Sequence, residues 1–98
     1  MSVMLLRTNI KPEAVEEARA AVETLFAALH EAKPQGIKYA SYVSADGASY
    51  TVLLEVEDGV ENPLPGIPAF VEFQKSLGGF LAGPPAPEQL TVVGDYRS

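Results

Sequence analysis

Three charged residues on predicted strands are the first candidates for chemistry. Arg7 lies in the first apolar run, Glu55 in the third and Asp95 near the end of the chain. A guanidinium group beside two carboxylates would orient an anionic or phenolic ligand and would shift the carboxylate pKa values. The same residues would equally form an inter-strand or interface ion-pair network, the commoner arrangement, which also perturbs pKa values. Both interpretations stay open.

Tyrosine hydroxyls are the second set of candidate ligand-binding groups. A tyrosine can hydrogen-bond a ligand, although packing in the core or at its rim is the more usual role of a strand tyrosine. We retain Tyr39 as a predicted ligand-binding residue. The four tyrosines are Tyr39, Tyr42, Tyr50 and Tyr96.

Metal, thiol and phosphate chemistry have little support in the sequence. There is no cysteine, and His30 is the only histidine, so a zinc or haem site would need carboxylates converging on it from elsewhere. His30 falls near the end of a predicted helix, where a positive charge complements the helix dipole. Gly78-Gly79 follows a helix rather than preceding one, which is not a phosphate-binding context. We therefore predict no metal and no cofactor.

Composition limits the class of protein and the class of partner. With 98 residues, 47% of them hydrophobic and 20% charged, the chain is predicted to be a single globular domain over residues 1–98. The net charge of −6 repels phosphate backbones and anionic membranes, so neither nucleic acid nor a membrane is a predicted partner. The N-terminal apolar run is too short for a signal peptide or a membrane span, which predicts a cytoplasmic protein.

The elements that must position these residues follow from periodicity and turn signals. Apolar residues at spacings of three and four predict two helices, and β-branched runs predict four strands. The resulting order is βαββαβ, the order of a ferredoxin-like α+β fold with a four-stranded antiparallel sheet and both helices on one face. The predicted elements are strands Val3–Asn9, Ile37–Ser44, Ser49–Glu57 and Gln89–Arg97, helices Glu13–Lys33 and Ala69–Leu81, and a long loop Asp58–Pro68.

Alternation along the strands assigns residues to two sheet faces. Arg7, Asn9 and Glu55 share the face that the helices leave open, and Asp95 joins them unless a bulge at Gly94 reverses the parity. The opposite parity is apolar and is predicted to lie under the helices. Its members are Met4, Leu6, Val52, Leu54, Val56, Leu90 and Val92.

The open face is too apolar to be left in water. It carries Val3, Leu5, Leu53 and Val93 as well as its charged residues. A second copy of the same face is the economical cover, because a two-fold dimer buries two identical sheets and enlarges a small core. We predict a homodimer through this face.

Four features together resemble the dimeric α+β barrel superfamily, which includes antibiotic-biosynthesis monooxygenases, muconolactone isomerases and stress-responsive barrel proteins. The resemblance covers nearly the whole chain. Its features are Lys11-Pro12-Glu13 between strand and helix, the Asp46-Gly47 hairpin, Phe70-Val71-Glu72-Phe73 in the second helix, and Thr91-Val92-Val93 in the last strand.

The resemblance implies a site and two classes of activity. Substrates in that superfamily are held between the sheet and the helices or loops, and some members oxidise phenolic polycyclic compounds without metal or flavin. Asn9 matches the first-strand asparagine of the oxygenase pattern, whereas the tryptophan that often accompanies it is absent. Phe70 and Phe73 would wall the pocket.

Two hypotheses of different class follow. The first is a protein that binds a small aromatic or polyketide-like molecule beneath the loop Asp58–Pro68, as a cofactor-independent monooxygenase or isomerase, with Arg7 and Asn9 in its site. The second is a non-catalytic dimerisation or sensing module, favoured by the scarcity of His, Cys and Trp. A pocket filled by side chains would support the second hypothesis.

Overall fold

A computed structural model describes residues 2–96 of the chain. Four strands, two α-helices and two short 3-10 turns follow one another in the predicted βαββαβ order. They are β1 (Ser2–Asn9), a 3-10 turn (Pro12–Ala14), α1 (Val15–Ala32), β2 (Ile37–Val43), β3 (Ser49–Val56), a second 3-10 turn (Leu64–Gly66), α2 (Pro68–Phe80) and β4 (Ala86–Leu90).

The four strands form one antiparallel sheet in the order β2-β3-β1-β4. Both helices lie on the same side of it, so the predicted ferredoxin-like α+β class is confirmed. The register places Arg7 opposite Thr51 and Val3 opposite Glu55. None of the described helices is long and apolar enough to cross a membrane.

Helix α1 begins and ends where its sequence requires. Pro12 opens the preceding 3-10 turn, where the N–H that it lacks would have no helical partner. Lys33 ends the helix in the left-handed conformation, with φ of 49°, and its N–H donates to the Leu29 carbonyl at 2.8 Å. Ala18, Leu25 and Leu29 form the buried stripe of this helix.

The turn between β2 and β3 is built around Asp46, as the Asp-Gly pair predicts. Its carboxylate accepts hydrogen bonds from the Ser44 hydroxyl at 2.6 Å and from the Ala48 N–H at 3.0 Å. These two bonds, the first above all, lower the pKa of Asp46 below its ordinary value. Gly47 follows with φ of 76°, a conformation in which only glycine is unstrained.

The predicted last strand is wrong in its position. β4 covers Ala86–Leu90, so it starts inside the predicted proline-rich connector and ends before most of the predicted strand Gln89–Arg97; Arg97 lies outside the described residues. The cause is the length of the neighbouring strand. Leu90 is already opposite Val3, one residue from the start of β1, so Thr91 onward has no described strand beside it.

This shift corrects the face assignments made for the predicted last strand. Leu90 was predicted to face the helices, but its partner Val3 is on the open side, and so is Leu90. Val92 and Asp95 lie beyond β4, so strand parity does not apply to them. Pro87 is tolerated because β4 is an edge strand, where a missing N–H costs no interior hydrogen bond.

The region predicted as the loop Asp58–Pro68 is partly core. Leu64, in its 3-10 turn, is completely buried and packs with Leu25 and Leu29 of α1. Helix α2 then runs to Phe80, so Gly78 and Gly79 are inside its last turn rather than beyond its end. A second cluster, around Ile10, Ala18 and Tyr50, closes the other end of the core.

Candidate functional site

A small cavity lies between the helix-covered face of the sheet and the two helices. Its volume is about 30 Å³, which exceeds the roughly 10–15 Å³ that one water molecule needs. It falls well short of the about 300 Å³ at which pockets for drug-sized ligands begin. Its lining residues are Leu6, Thr8, Ile10, Ala18, Val22, Tyr39, Ser41, Tyr50, Val52, Phe73, Gln74, Leu77 and Phe80.

Strand alternation brings the polar lining residues to this face. Thr8 is the direct partner of Tyr50, and Ser41 is the partner of Val52 one pair further along the sheet. All four have the parity of the apolar positions that face the helices. Gln74, on α2, is exposed and lies at the mouth of the cavity.

Tyr50 carries the most unusual polar atom of the site. The residue is buried, with only 6% of its surface exposed. The hydroxyl oxygen is buried and has no hydrogen-bond partner among the described residues. Buried polar atoms nearly always have a partner, so an unpartnered one calls for an explanation.

Tyr39 links the sheet to both helices. Its ring stacks on Phe26 of α1, with centroids 5.4 Å apart and planes at 12°. The ring of Phe70, on α2, meets it edge to face. Burial raises the pKa of the Tyr39 hydroxyl above its ordinary value of 10.0, because the phenolate would lose its hydration.

The six predicted ligand-binding residues are divided between the two faces of the sheet. Tyr39 and Phe73 line the cavity, and Phe70 packs against Tyr39 beside it. The other three, Arg7, Asn9 and Glu55, belong to the open face. The structure therefore does not bring all six together at one described pocket.

The predicted constellation of Arg7, Glu55 and Asp95 does not form around one point. Arg7 pairs with Glu88 on β4 at 4.0 Å, and Glu55 pairs with Lys38 on β2 at 3.7 Å. Arg7 is opposite Thr51 while Glu55 is opposite Val3, and four residues of strand amount to about 13 Å.

These open-face charges make the inter-strand network that was the alternative interpretation. Glu55 and Asp95 do border one open groove, beside Val3 and Leu90. Asn9 also lies on the open face, where its side chain accepts a hydrogen bond at 3.1 Å from the hydroxyl of Ser49, its partner on β3.

Sequence reasoning missed most of the cavity lining. Thr8, Ser41 and Gln74 were not selected, and Tyr50 was considered only as one of four tyrosines. The parity that placed Leu6 and Val52 under the helices also places Thr8 and Tyr50 there, so the signal was available. The loop Asp58–Pro68 contributes no lining residue, because Leu64 fills the space below it.

Metal-ligating residues do not converge anywhere in the described part of the chain. Over residues 2–96, no group of three or more His, Cys, Asp and Glu side chains is arranged to hold a metal ion. His30 lies in the last turn of α1, on an open groove shared with Lys33 and Ile37.

Comparison with solved structures gives several likenesses over almost the full length. Rv0793 from Mycobacterium tuberculosis superimposes with a TM-score of 0.76 at 20% identity, covering 98% of both chains. A candidate antibiotic biosynthesis monooxygenase from Nitrosomonas europaea gives 0.75 at 12% identity, covering 96% of this chain and 100% of the other. Another, from Caulobacter crescentus, gives 0.72 at 21% identity, covering 95% and 90%.

The chain has the fold of the antibiotic-biosynthesis-monooxygenase-like proteins. The resemblance to the dimeric α+β barrel superfamily predicted from the sequence is thereby confirmed at the level of the fold. No protein-family model and no curated protein matches the sequence. Because one fold hosts many chemistries, the likeness does not by itself specify an activity.

Proposed function

We propose that this chain binds a small, mainly apolar molecule in the cavity between its sheet and its helices. The observation that carries this proposal is a largely apolar cavity lined by Tyr50, whose buried hydroxyl has no hydrogen-bond partner among the described residues. Sites for small molecules have this composition: apolar walls with a few polar groups that orient the guest.

The helix α2 is the element that would admit such a guest. None of its residues is fully buried, and Phe73, Leu77 and Phe80 form its side of the cavity. Its C-terminal end is tied to the end of β1: the Lys11 N–H donates to the Phe80 carbonyl, and the Ala82 N–H donates to that of Asn9, each at 2.8 Å. We expect the middle of α2 to move outward and widen the cavity when a ligand enters.

A reaction in this cavity would be a cofactor-independent oxygenation or isomerisation of a small aromatic or polyketide-like compound. Several neighbours in fold are named as antibiotic biosynthesis monooxygenases, which supports the oxygenation. Chemistry here would depend on exclusion of water and on hydrogen bonds placed to stabilise developing charge. The groups available for that are the hydroxyls of Thr8, Ser41, Tyr39 and Tyr50.

Filling the cavity tests the binding proposal. In Ala18→Leu a larger side chain enters the cavity from α1, whereas Ala20→Leu adds the same atoms on the exposed side of that helix. Amide chemical shifts would be followed during titration with benzene and phenol. We expect cavity residues to shift in the wild type and in Ala20→Leu, and not in Ala18→Leu. Absence of shifts in the wild type would refute the proposal.

The small volume of the cavity favours a second function, a non-catalytic dimerisation or sensing module. A cavity of about 30 Å³ holds water more readily than an organic guest. The two functions differ in outcome: an enzyme turns over a bound aromatic compound under oxygen, and a sensor binds it unchanged. Mass spectrometry of the ligand after incubation distinguishes them.

We also propose that two copies associate through their open sheet faces. Leu5, Leu53 and Leu90 leave apolar area there that is only partly covered. The face carries the ion pairs Arg7–Glu88 and Lys38–Glu55, so both signs of charge are present and a two-fold copy can match them. Light scattering across a wide concentration range tests this: twice the chain mass on dilution supports it, and a stable monomer contradicts it.

A further inference from the structure

The outer edge of the sheet at β2 has main-chain groups without partners. β2 pairs with β3 alone. At the start of β2 the Glu57 N–H donates to the Gly36 carbonyl, and just beyond its end the Ser44 N–H donates to the carbonyl opposite, each at 2.9 Å. Hydrogen-bonded and non-bonded pairs alternate along an antiparallel ladder, so every second residue directs its N–H and C=O away from the sheet. These residues are Ile37, Tyr39, Ser41 and Val43.

β2 also lacks the devices that usually protect an exposed edge against pairing with another chain. β4, at the opposite edge of the sheet, contains Pro87, which has no N–H to donate. β2 contains no proline, and its single charged residue, Lys38, is paired with Glu55 at 3.7 Å. β2 is therefore the edge that can accept a further strand.

A groove runs along this edge, between β2 and the C-terminal half of α1. Its volume is about 590 Å³, within the roughly 300–1,000 Å³ of sites that bind small ligands. Phe26 and Ile37 give it apolar walls. Tyr39, Ala40 and Ser41 all line it. Because consecutive strand residues point to opposite faces, the groove opens at the edge of β2 rather than on one face.

The charge of the groove is opposite to that of the chain. The chain has a net charge of −6, yet no Asp or Glu of residues 2–96 lines the groove. Lys33 and His30 do line it, and both side chains can donate hydrogen bonds to a carboxylate. Neither forms an ion pair within the described part of the chain. The groove therefore complements an acidic group.

We propose that the outer edge of β2 binds an extended acidic peptide segment of another protein, which adds to the sheet as a further strand. Strand addition to a free edge is a recurring mode of peptide recognition. The main chain of the peptide bonds to the outward groups of Tyr39 and Ser41. In antiparallel pairing the C-terminal end of the peptide lies beside Ile37. Side chains two positions apart share a face, so an apolar residue packs on Phe26 and an acidic residue two positions later reaches Lys33.

The test uses the peptide acetyl-Thr-Val-Thr-Glu-Thr-amide, titrated into the whole chain while amide chemical shifts are followed. We expect shifts along Ile37–Val43 and none along Ala86–Leu90. The same peptide with Lys in place of Glu should bind at least about tenfold more weakly. Lys33→Gln should weaken binding of the Glu peptide about fivefold, as expected for one exposed ion pair. Lys75→Gln is the matched control, since that lysine lies on α2 beside Glu72, and it should leave binding unchanged.

Methylation of the peptide amides separates strand addition from simple charge attraction. Successive amides of an added strand point alternately toward β2 and away from it, so a methyl group on the Val nitrogen and one on the next Thr nitrogen should differ in effect. We expect one methylated peptide to lose binding and the other to retain it.

Four results would overturn the proposal. One is the absence of shifts along β2 at millimolar peptide, and a second is equal binding of the two methylated peptides. A third is equal binding of the Glu and Lys peptides, which would remove the acidic preference. The fourth is a fall in the mass measured by light scattering when the peptide is added, which would assign the edge to a second copy of this chain. None of these results bears on ligand binding in the cavity, which is tested separately by Ala18→Leu.

Discussion

The ring of Phe70 meets the ring of Tyr39 edge to face, with centroids 6.2 Å apart and planes at 74°. Tyr39 is at the same time stacked on Phe26, so one strand residue contacts both helices. This is where the first turn of α2 is attached to the sheet. We therefore expect substitutions at the N-terminal end of α2 to weaken its packing on the sheet.

We expect Phe70→Ala to lower the free energy of unfolding by about 2 kcal/mol, from lost burial and the lost aromatic pair. Phe70 is only half-buried, which keeps the loss below that of a fully buried ring. Val71→Ala, at an exposed position of the same turn, should stay within about 0.5 kcal/mol of the wild type. Urea unfolding measures both, and equal effects would show that the ring pair does not hold α2.

The raised pKa of Tyr39 predicts a loss of stability in alkali. The unfolded chain ionises this hydroxyl near its ordinary pKa of 10.0, while burial keeps the folded chain protonated to higher pH. The stabilising contribution is therefore complete below pH 10 and is lost as the pH rises above it. From neutral to alkaline pH, the free energy of unfolding should fall more steeply for the wild type and Tyr42→Phe than for Tyr39→Phe. Identical slopes would contradict the burial of the hydroxyl.

Tyr50→Phe should leave the stability of the ligand-free protein unchanged or raise it by up to about 1 kcal/mol, since it removes a buried polar atom that makes no hydrogen bond within residues 2–96. Thermal unfolding of wild type and variant gives the comparison. A loss greater than about 1 kcal/mol would mean that the hydroxyl does have a partner, most simply an ordered water.

Gly36 is required by both conformation and space. Its φ is +78°, and an added Cβ would lie 2.6 Å from Cγ1 of Val60. Gly36→Ala should destabilise the fold by about 1–2 kcal/mol. The double variant Gly36→Ala with Val60→Ala should recover the share of the lost stability that comes from the clash with Val60. Gly79→Ala, inside α2 with open space around it, should instead stabilise the fold by about 0.5–1 kcal/mol.

The proposed dimer can be weakened from its centre. Leu53→Lys places a charge in the middle of the open face, so we expect the mass measured by light scattering to fall from two chains to one at micromolar concentration. Lys75→Glu, on the exposed side of α2, should leave the mass unchanged. A Leu53→Lys protein that stays folded and retains the mass of two chains would place the interface elsewhere.

Sequence alone predicts the parts of this fold that depend on local signals. Pro12, the Asp46-Gly47 pair and the alternation through Leu5 and Leu6 each act through neighbours close in the chain, and the elements they predict are present. The position of β4 depends instead on where β1 begins, which is a long-range constraint. The β-branched run Thr91–Val93 is therefore a good strand sequence without a described strand to pair with.

The candidate site was predicted with a bias toward charge. Arg7 and Glu55 were selected because charged residues are rare in strands. Their ion pairs with Glu88 and Lys38 account for their presence without a ligand. Tyr50 and Thr8 look ordinary in sequence. What distinguishes Tyr50 is a buried hydroxyl that no described residue hydrogen-bonds, and that property is visible only in three dimensions.

The alternation of side chains within β1 has a consequence for the evolution of proteins with this fold. Leu6 and Thr8 border the cavity, while Leu5 and Arg7, their immediate neighbours, point to the other side of the sheet. A single substitution therefore alters one side and spares the other. Substitutions at Leu6 and Thr8 would alter the proposed ligand site, and substitutions at Leu5 and Arg7 would alter the proposed subunit contact, as two separately inherited traits of one eight-residue strand.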